Sequence, residues 1–441
     1  MRKLDYAIQF SKLFYERFIQ NGDITLFSPH DVPGLYEAFG TEEFDALYQM
    51  HELNDAVPKK TVKAQDLILD LLKERAETGR IYIMNIDHCN SHSSFIDKVN
   101  MSNLCCEITL PTDPINHIDD NEGEIALCIL SAINVGKLRH LDELEELCDL
   151  AVRGLEELID HQNYPVIAGE LATKKRRSLG IGYIGLAHYL AKIGAKYDDK
   201  YALTEVHKLS EAFQYNLLKA SNQIAKEKGA CEGFESTKYS QGILPIDTYK
   251  KKLDEIVAPA YFYDWDSLRS SILQYGLRHS TLSAQMPSES SSVVSNATNG
   301  IEPPRGYLSI KKSKKGPLKQ VVPQYQTLKN QYTLLWDMPS NDGYIKVVAV
   351  MQKFFDQAIS GNWSYNPQNY PDNEIPVSVI AEDFLTSYSL GWKTSYYQNT
   401  YDIKTDGNEE PEEVQSKSNE LESLLNELEK GDESTCDSCS I

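Results

Sequence analysis

The chain has 441 residues and a formal charge of −21, an excess of acid that argues against broad binding to a nucleic-acid backbone, which needs a basic surface. Hydrophobic residues at 41% and charged residues at 25% are ordinary for a globular protein, and the length is ample for a large core. No run approaches the about 20 apolar residues of a membrane span, and the start Met1-Arg2-Lys3-Leu4-Asp5-Tyr6 lacks the apolar stretch of a secretory signal, so the expectation is a cytoplasmic protein without a membrane partner.

Residues 1–80 read as mostly helical. Within them, 64–73 has helical apolar spacing and stops near Gly79. The β-rich run Ile81-Tyr82-Ile83-Met84-Asn85-Ile86 reads as a strand. Asp87-His88-Cys89-Asn90-Ser91-His92 gathers metal-capable groups but offers no third ligand at a recognisable spacing, so it reads as a hydrogen-bonded loop.

Next comes Asn103-Leu104-Cys105-Cys106-Glu107. If this segment is extended, Asn103, Cys105 and Glu107 share one face, and Leu104 and Cys106 share the other. An amide can orient hydroxyl groups, a thiol can be a nucleophile or hydrogen-atom donor, and a carboxylate can move a proton. The alternative is a buried thiol acting as a small hydrophobe. The nearly continuous apolar run 124–133 suits a strand buried on both faces.

Helices follow at 139–162 and 202–228. The basic runs 174–177 and 311–315 read as solvated loops. Gly180-Ile181-Gly182-Tyr183-Ile184-Gly185 matches a dinucleotide-binding fingerprint, but a basic run precedes it rather than a buried strand. No acidic residue ends a second strand at the required distance, so the glycines read as close backbone packing. A helix at 263–276 leads into a strand near 279–285. Pro287-Ser288-Glu289-Ser290-Ser291 then opens a helix, whose free N–H groups suit an anion or simple capping. Helices at 344–359 and 376–390 flank a strand-like 362–365. Alternating strands and helices imply an α/β fold with parallel strands.

Tyr396-Tyr397 are packing aromatics or stacked phenols able to pass an electron and proton. Residues 402–441 carry 13 Asp and Glu against three Lys, a composition that favours a solvated segment. In it, Leu421, Leu424, Leu425 and Leu428 have the spacing of a short amphipathic helix. Cys436 and Cys439 stand close enough to close a disulfide and reopen by exchange; half of a zinc site or an incidental pair are the alternatives.

Taken together, these pieces resemble the C-terminal portion of the large, catalytic subunit of class I ribonucleotide reductase, the kind acting on ribonucleoside diphosphates. The carriers are 78–83 with 87–90, 102–107 with Leu110-Pro111-Thr112, and Gly123-Glu124-Ile125-Ala126-Leu127-Cys128. Further along they are Met286-Pro287-Ser288-Glu289-Ser290-Ser291, Ser295–Arg305, Lys393–Thr400 and the terminal cysteine pair. The resemblance implies a ten-stranded α/β barrel, here mainly its second half, with the radical cysteine on a finger loop. It implies a division into 1–80, a helical segment; 81–400, the C-terminal part of the barrel; and 401–441, a flexible acidic redox tail.

It also implies roles. Cys105 would carry a thiyl radical that removes the ribose 3′ hydrogen, Glu107 would take the 3′-hydroxyl proton, and Asn103 would hydrogen-bond the substrate. Substrate would lie along Asn103, Leu104, Cys105, Cys106 and Glu107, with its diphosphate cradled by Pro287, Ser288, Glu289, Ser290 and Ser291. Cys128 would be one of two reducing thiols. Tyr396 and Tyr397 would relay radical equivalents from a metal-containing small subunit, so this chain itself would hold no metal or tight cofactor. Cys436 and Cys439 would re-reduce the active-site disulfide and be reduced by thioredoxin or glutaredoxin.

Departures from the pattern shape the expectation. By that resemblance the chain would start well inside the family pattern, without the ATP cone, the allosteric specificity region and the barrel half bearing the thiol partner of Cys128. Allosteric nucleotides would bind that N-terminal part. Cys148 and Cys231 fall in apparent helices, Cys106 stands where an apolar residue is usual, and the tail cysteines are unusually close. The expectation is one half of a split subunit, inactive alone and completed by a separate N-terminal chain. The alternative is a truncated, non-catalytic fragment that only binds the small subunit.

Overall fold

The computed structural model describes residues 4–313 and 316–402. Its strands are β1 Tyr6–Phe10, β2 Asp23–Phe27, β3 Lys59–Lys63, β4 Ile81–Asn85, β5 Ile129–Asn134, β6 Leu179–Ile184, β7 Leu308–Ser313, β8 Gly316–Val321, β9 Trp363–Tyr365, β10 Thr394–Ser395 and β11 Gln398–Thr400. β1 runs parallel to β4, and β10 lies antiparallel on the other edge of β4. Beyond β10 lies the extended segment 357–361, joined by the Tyr396 N–H to the Gly361 carbonyl at 2.7 Å and continued in the parallel pair β9 and β11. Segment 357–361 meets 281–286 through a parallel bridge between Ile359 and Gln285. That segment bridges β6 through Ser283 and Ile181, and β6 pairs in parallel with β5. The resulting order is β1, β4, β10, 357–361, 281–286, β6, β5. It is an α/β arrangement, and among the described residues its outermost strands β1 and β5 do not meet to close a barrel.

The helices supply the cover. Helix Glu143–His161 packs on the long helix Lys200–Lys228, and both feed Leu144, Val152, Leu209, Phe213 and Leu217 into the main core. Helices Trp265–Tyr275 and Val377–Ser389 lie where the spacing places them. Helix Ala64–Thr78 stops at Gly79, whose φ of 71° is left-handed and open to glycine at little cost. None of the described helices is long and apolar enough to cross a membrane.

Several expectations fail, each for a physical reason. Residues 1–80 are not simply helical, because β1, β2 and β3 lie among the helices. The run 124–133 is not buried on both faces. Its ladder begins only at Ile129, and Leu127 and Leu130 are exposed because β6 alone flanks β5. The helix expected to reach residue 359 ends at Gln352. Beyond it, the Asp356 carboxylate accepts the Leu282 and Ser283 N–H groups at 2.9 and 2.8 Å, which pins the chain beside 281–286 instead. Residues 86–91 form a helix rather than a loop. Their imidazoles are hydrogen-bonded as expected: His88 to the Trp392 carbonyl, and His92 to Thr248 and the Gln352 carbonyl. Cys231 follows the long helix rather than lying within it.

The first two glycines of the fingerprint sit inside β6 as packing devices, and the third, Gly185, follows the strand at a left-handed φ of 80° before helix Leu186–Lys192. A Cβ on Gly180 would stand 2.5 Å from Leu130 Cδ2 and 2.8 Å from Cys128 Sγ. One on Gly182 would stand 2.7 Å from the Ala284 carbonyl.

The basic run 174–177 is not a solvated loop. It closes helix Ile167–Arg176, with Lys175 and Arg176 on Glu124 at 2.7 and 3.0 Å. Arg177 meets Glu156 and Asp160 at 2.7 and 2.8 Å. The second basic run falls in the β7–β8 hairpin, partly outside the described residues.

Glu156 is buried yet also receives Arg278 at 2.7 Å and His279 at 3.1 Å. Burial alone would raise its carboxyl, but the hydrogen bonds from His279, Arg177 and Arg278 outweigh it and hold the group well below the ordinary carboxylate range. A depressed folded value means stability that is present above the unfolded carboxylate value and lost as pH falls below it. Glu156→Ala is expected to cost roughly 3–5 kcal/mol, because it strands buried cations. Urea titration checks this, and the deficit against wild type should shrink as pH falls into the acid range.

Candidate active site

The segment Ser102–Ile108 is not extended. It is a tight turn closed by the Cys106 N–H on the Asn103 carbonyl at 3.1 Å, with Cys106 at a left-handed φ of 67°. The Asn103 side-chain oxygen accepts the Ile108 N–H at 3.1 Å, and Ser102 Oγ donates to the Ile108 carbonyl at 2.8 Å. Asn103 and Glu107 are therefore brought together by a turn rather than by strand alternation, and Leu104 is left exposed at the surface.

Neighbouring strands clamp this turn by its carbonyls. Ser360 Oγ donates to the Cys105 carbonyl at 2.5 Å, Thr394 Oγ1 to that of Cys106 at 2.8 Å, and the Ala358 N–H to that of Glu107 at 3.0 Å. The clamp fixes the half-buried Cys105 against Tyr396, whose hydroxyl lies 3.6 Å from Sγ. Tyr396 and Tyr397 have ring centroids 4.0 Å apart, and Tyr82 on β4 packs against both at 4.8 and 5.5 Å. Cys106 is buried in the same cluster, with Tyr82 and Tyr396. Arg75 is also buried, stacked over Trp363 at 4.7 Å and donating to Ser395 Oγ at 2.8 Å and to the Ile81 carbonyl. It thereby ties β4 to β10, the strand that leads into the tyrosine pair.

The electrostatics keep hydrogens on these groups. Burial pushes the Cys105 thiol up, partly countered by the Tyr396 hydroxyl, and pushes Cys106 to about 12. Burial also raises the Tyr82 and Tyr396 phenols well above their ordinary value. Thiol and phenol thus stay neutral near pH 7, the form in which a hydrogen atom can pass between them. Glu107 is buried and raised, with Asn103 and Ser360 hydrogen bonds pulling it partly back. A carboxyl raised in this way is a better proton acceptor.

Cys128 lies just before β5, with Sγ 3.7 Å from Gln357 Nε2. Burial pushes its thiol up, the Gln357 hydrogen bond pulls it partly back, and the Glu107 and Asp356 charges add to the rise. Ser288 precedes the short helix Glu289–Val294, its hydroxyl turned to the Met286 carbonyl at 3.2 Å rather than capping it, and the helix lies by the C-terminal end of β5, where Asn134 donates to the Ser295 carbonyl at 3.2 Å. Ser290, Ser291, Glu289 and Pro287 are exposed on that rim. Ligands of α/β sheets bind at such strand ends. Cys436 and Cys439 lie outside the described residues.

Sequence reasoning missed Arg75, Tyr82, Gln357, Ser360 and Thr394. Tyr82 and Thr394 stood inside motifs already singled out, but only the folded strands show what they touch. The described cysteines are all free, and no group of three or more potential metal ligands occurs among the described residues. Cys148 Sγ turns to the Phe213 carbonyl in the main core, and Cys231 is buried in that core as well.

A family model described as the barrel domain of ribonucleotide reductase matches residues 1–398. The chain is 56% identical over 415 residues to the ribonucleoside-diphosphate reductase subunit alpha of Haemophilus influenzae, covering 93% of this chain and 55% of that protein. It is 55% identical over 415 residues to ribonucleoside-diphosphate reductase 1 subunit alpha of Escherichia coli, covering 93% and 54%. Against the subunit alpha of bacteriophage T4, identity is 44% over 412 residues, covering 91% and 54%. The chain spans about half the length of these curated relatives. By this match and by the thiol, carboxylate and tyrosines assembled at its centre, the chain belongs to the ribonucleotide reductase family.

Proposed function

We propose that this chain is the C-terminal catalytic portion of a class I ribonucleoside-diphosphate reductase α subunit, making deoxyribonucleotides by thiyl-radical chemistry. The observation that carries the reading is the path Tyr397, Tyr396, Cys105, with 4.0 Å between the rings and 3.6 Å from the last hydroxyl to Sγ.

In this reading a radical equivalent from a metal-containing small subunit reaches Tyr396, which takes the hydrogen atom from Cys105. The Cys105 thiyl removes the ribose 3′ hydrogen, and Glu107 takes the 3′-hydroxyl proton while Asn103 orients the ribose. Ser288 to Ser291 bind the diphosphate. In the net reaction the 2′ C–OH becomes C–H, water leaves, and two thiols become a disulfide. Cys128 is one of those thiols, and Cys436 and Cys439 return the electrons from thioredoxin or glutaredoxin.

Two features support completion by further α sequence. Among the described residues the strand order ends in unpaired edges at β1 and β5, and Leu127 and Leu130 stand exposed beside Cys128. An N-terminal α polypeptide supplies the strands that close the ten-stranded barrel, the second reducing thiol and the allosteric nucleotide sites.

Reconstitution tests this reading. The chain, an N-terminal α polypeptide, the small subunit and a dithiol reductant should together convert ribonucleoside diphosphate to the deoxy product. Failure of every combination, with small-subunit binding retained, would favour a binding-only fragment.

A further inference from the structure

We propose that Gln357 is a positioning residue for Cys128, its side-chain N–H holding Sγ in a slot over Gly180 and stabilising the thiolate. The Gln357 amide has a fixed orientation. Its Oε1 accepts the Thr109 N–H at 3.3 Å, so its NH2 faces the other way. That NH2 donates to the Leu179 carbonyl at 2.9 Å and reaches Cys128 Sγ at 3.7 Å. With the oxygen engaged by Thr109, only a donor is offered to the sulfur. The other wall of the slot is Gly180, where an added Cβ would stand 2.8 Å from Sγ.

The backbone of Gln357 is held as firmly as its side chain. Its N–H donates to the Ser283 carbonyl at 3.1 Å. Its carbonyl accepts the buried Lys393 ammonium and the Gln352 amide, each at 2.8 Å. Lys393 also reaches the Asp356 carbonyl at 2.9 Å. A donor fixed in this way needs no reorganisation when charge develops on sulfur.

The charged groups acting on Cys128 are Glu107 from the turn and Asp356 from the segment that carries Gln357. Burial, and then these two carboxylates, push the thiol up, while Gln357 pulls it down. On β6 the slot is walled by glycine, so the amide is the counterweight on that side.

The functional meaning rests on reading Cys128 as a reducing thiol, but the chemistry is measured without turnover. In alkylation by iodoacetamide the thiolate sulfur forms the C–S bond, the C–I bond breaks, iodide leaves and the thiol proton passes to solvent. Site-resolved mass spectrometry on the full chain follows Cys128 and Cys105 as pH is raised.

Gln357→Leu is expected to slow Cys128 alkylation about tenfold at fixed pH, equivalent to a rise of about one pKa unit. Gln357→Glu, which replaces the donor by an acceptor of the same size, should slow it further, and Cys105 should be unchanged in both. If Gln357→Leu loses its cooperative melt, the near-isosteric Gln357→Glu decides. An unchanged or faster rate at Cys128, or an equal slowing at Cys105, would overturn the assignment. Such a result would leave the reading of Cys105 untouched, because no radical step is measured.

Discussion

Cys105→Ser is expected to abolish diphosphate reduction by the reconstituted enzyme, with a loss of roughly 10³-fold or more, while small-subunit binding persists. A serine O–H bond is much stronger than a thiol S–H bond, so a tyrosyl radical cannot draw the hydrogen from it at a useful rate. Every 1.36 kcal/mol added to the barrier is a factor of about ten. The substitution changes one atom in a half-buried side chain. The turn itself is held by its own carbonyls, which accept from the Ser360 and Thr394 hydroxyls and the Ala358 N–H, so the fold survives. Product formation and subunit binding measured on one preparation separate the two effects. Retained turnover would remove Cys105 from the chemistry.

Tyr396→Phe has the second large expected effect. It deletes the hydroxyl 3.6 Å from Cys105 Sγ and keeps the ring packed between Tyr82 and Tyr397. A residue important only for packing would tolerate this change, so melting should shift little. Turnover should fall by roughly 10²-fold or more, since in the proposed mechanism the proton and electron leave Cys105 through that oxygen. Near-normal turnover in Tyr396→Phe with an unchanged melt would show that this pair is packing alone.

The parts of this site that were legible are those carried by residue type. Asn103, Cys105 and Glu107 are brought near one another, but by a turn rather than by the alternation expected of an extended segment. The turn depends on Cys106 at a left-handed φ, a position where glycine or asparagine would have given a signal and cysteine gives none. The basic run 174–177 misled because its partners Glu124, Glu156 and Asp160 come from distant parts of the chain. Composition cannot show which acids a fold will bring to a lysine or arginine.

Strands were lost for related reasons. β3 is Lys59-Lys60-Thr61-Val62-Lys63, too polar to look like a strand, and it is held by its pairing with β2. Segment 353–361 continues an apolar helical pattern. From residue 357 it is extended instead: the Lys393 ammonium takes the Asp356 and Gln357 carbonyls that a helix would have used internally, and the Asp356 carboxylate ties the chain to the Leu282 and Ser283 N–H groups of the neighbouring segment. The glycines of β6 were read correctly as packing, since a nucleotide fingerprint needs a strand before the glycines rather than through them.

The most direct test of the whole account leaves one component out at a time. The chain is mixed with the small subunit, reductant and a ribonucleoside diphosphate, with and without an N-terminal α polypeptide, and deoxynucleotide is quantified. Product is expected only when the N-terminal polypeptide is present, since in the proposed reading it closes the sheet beyond β1 and β5 and brings the second thiol. Sustained turnover by this chain with the small subunit alone would contradict it.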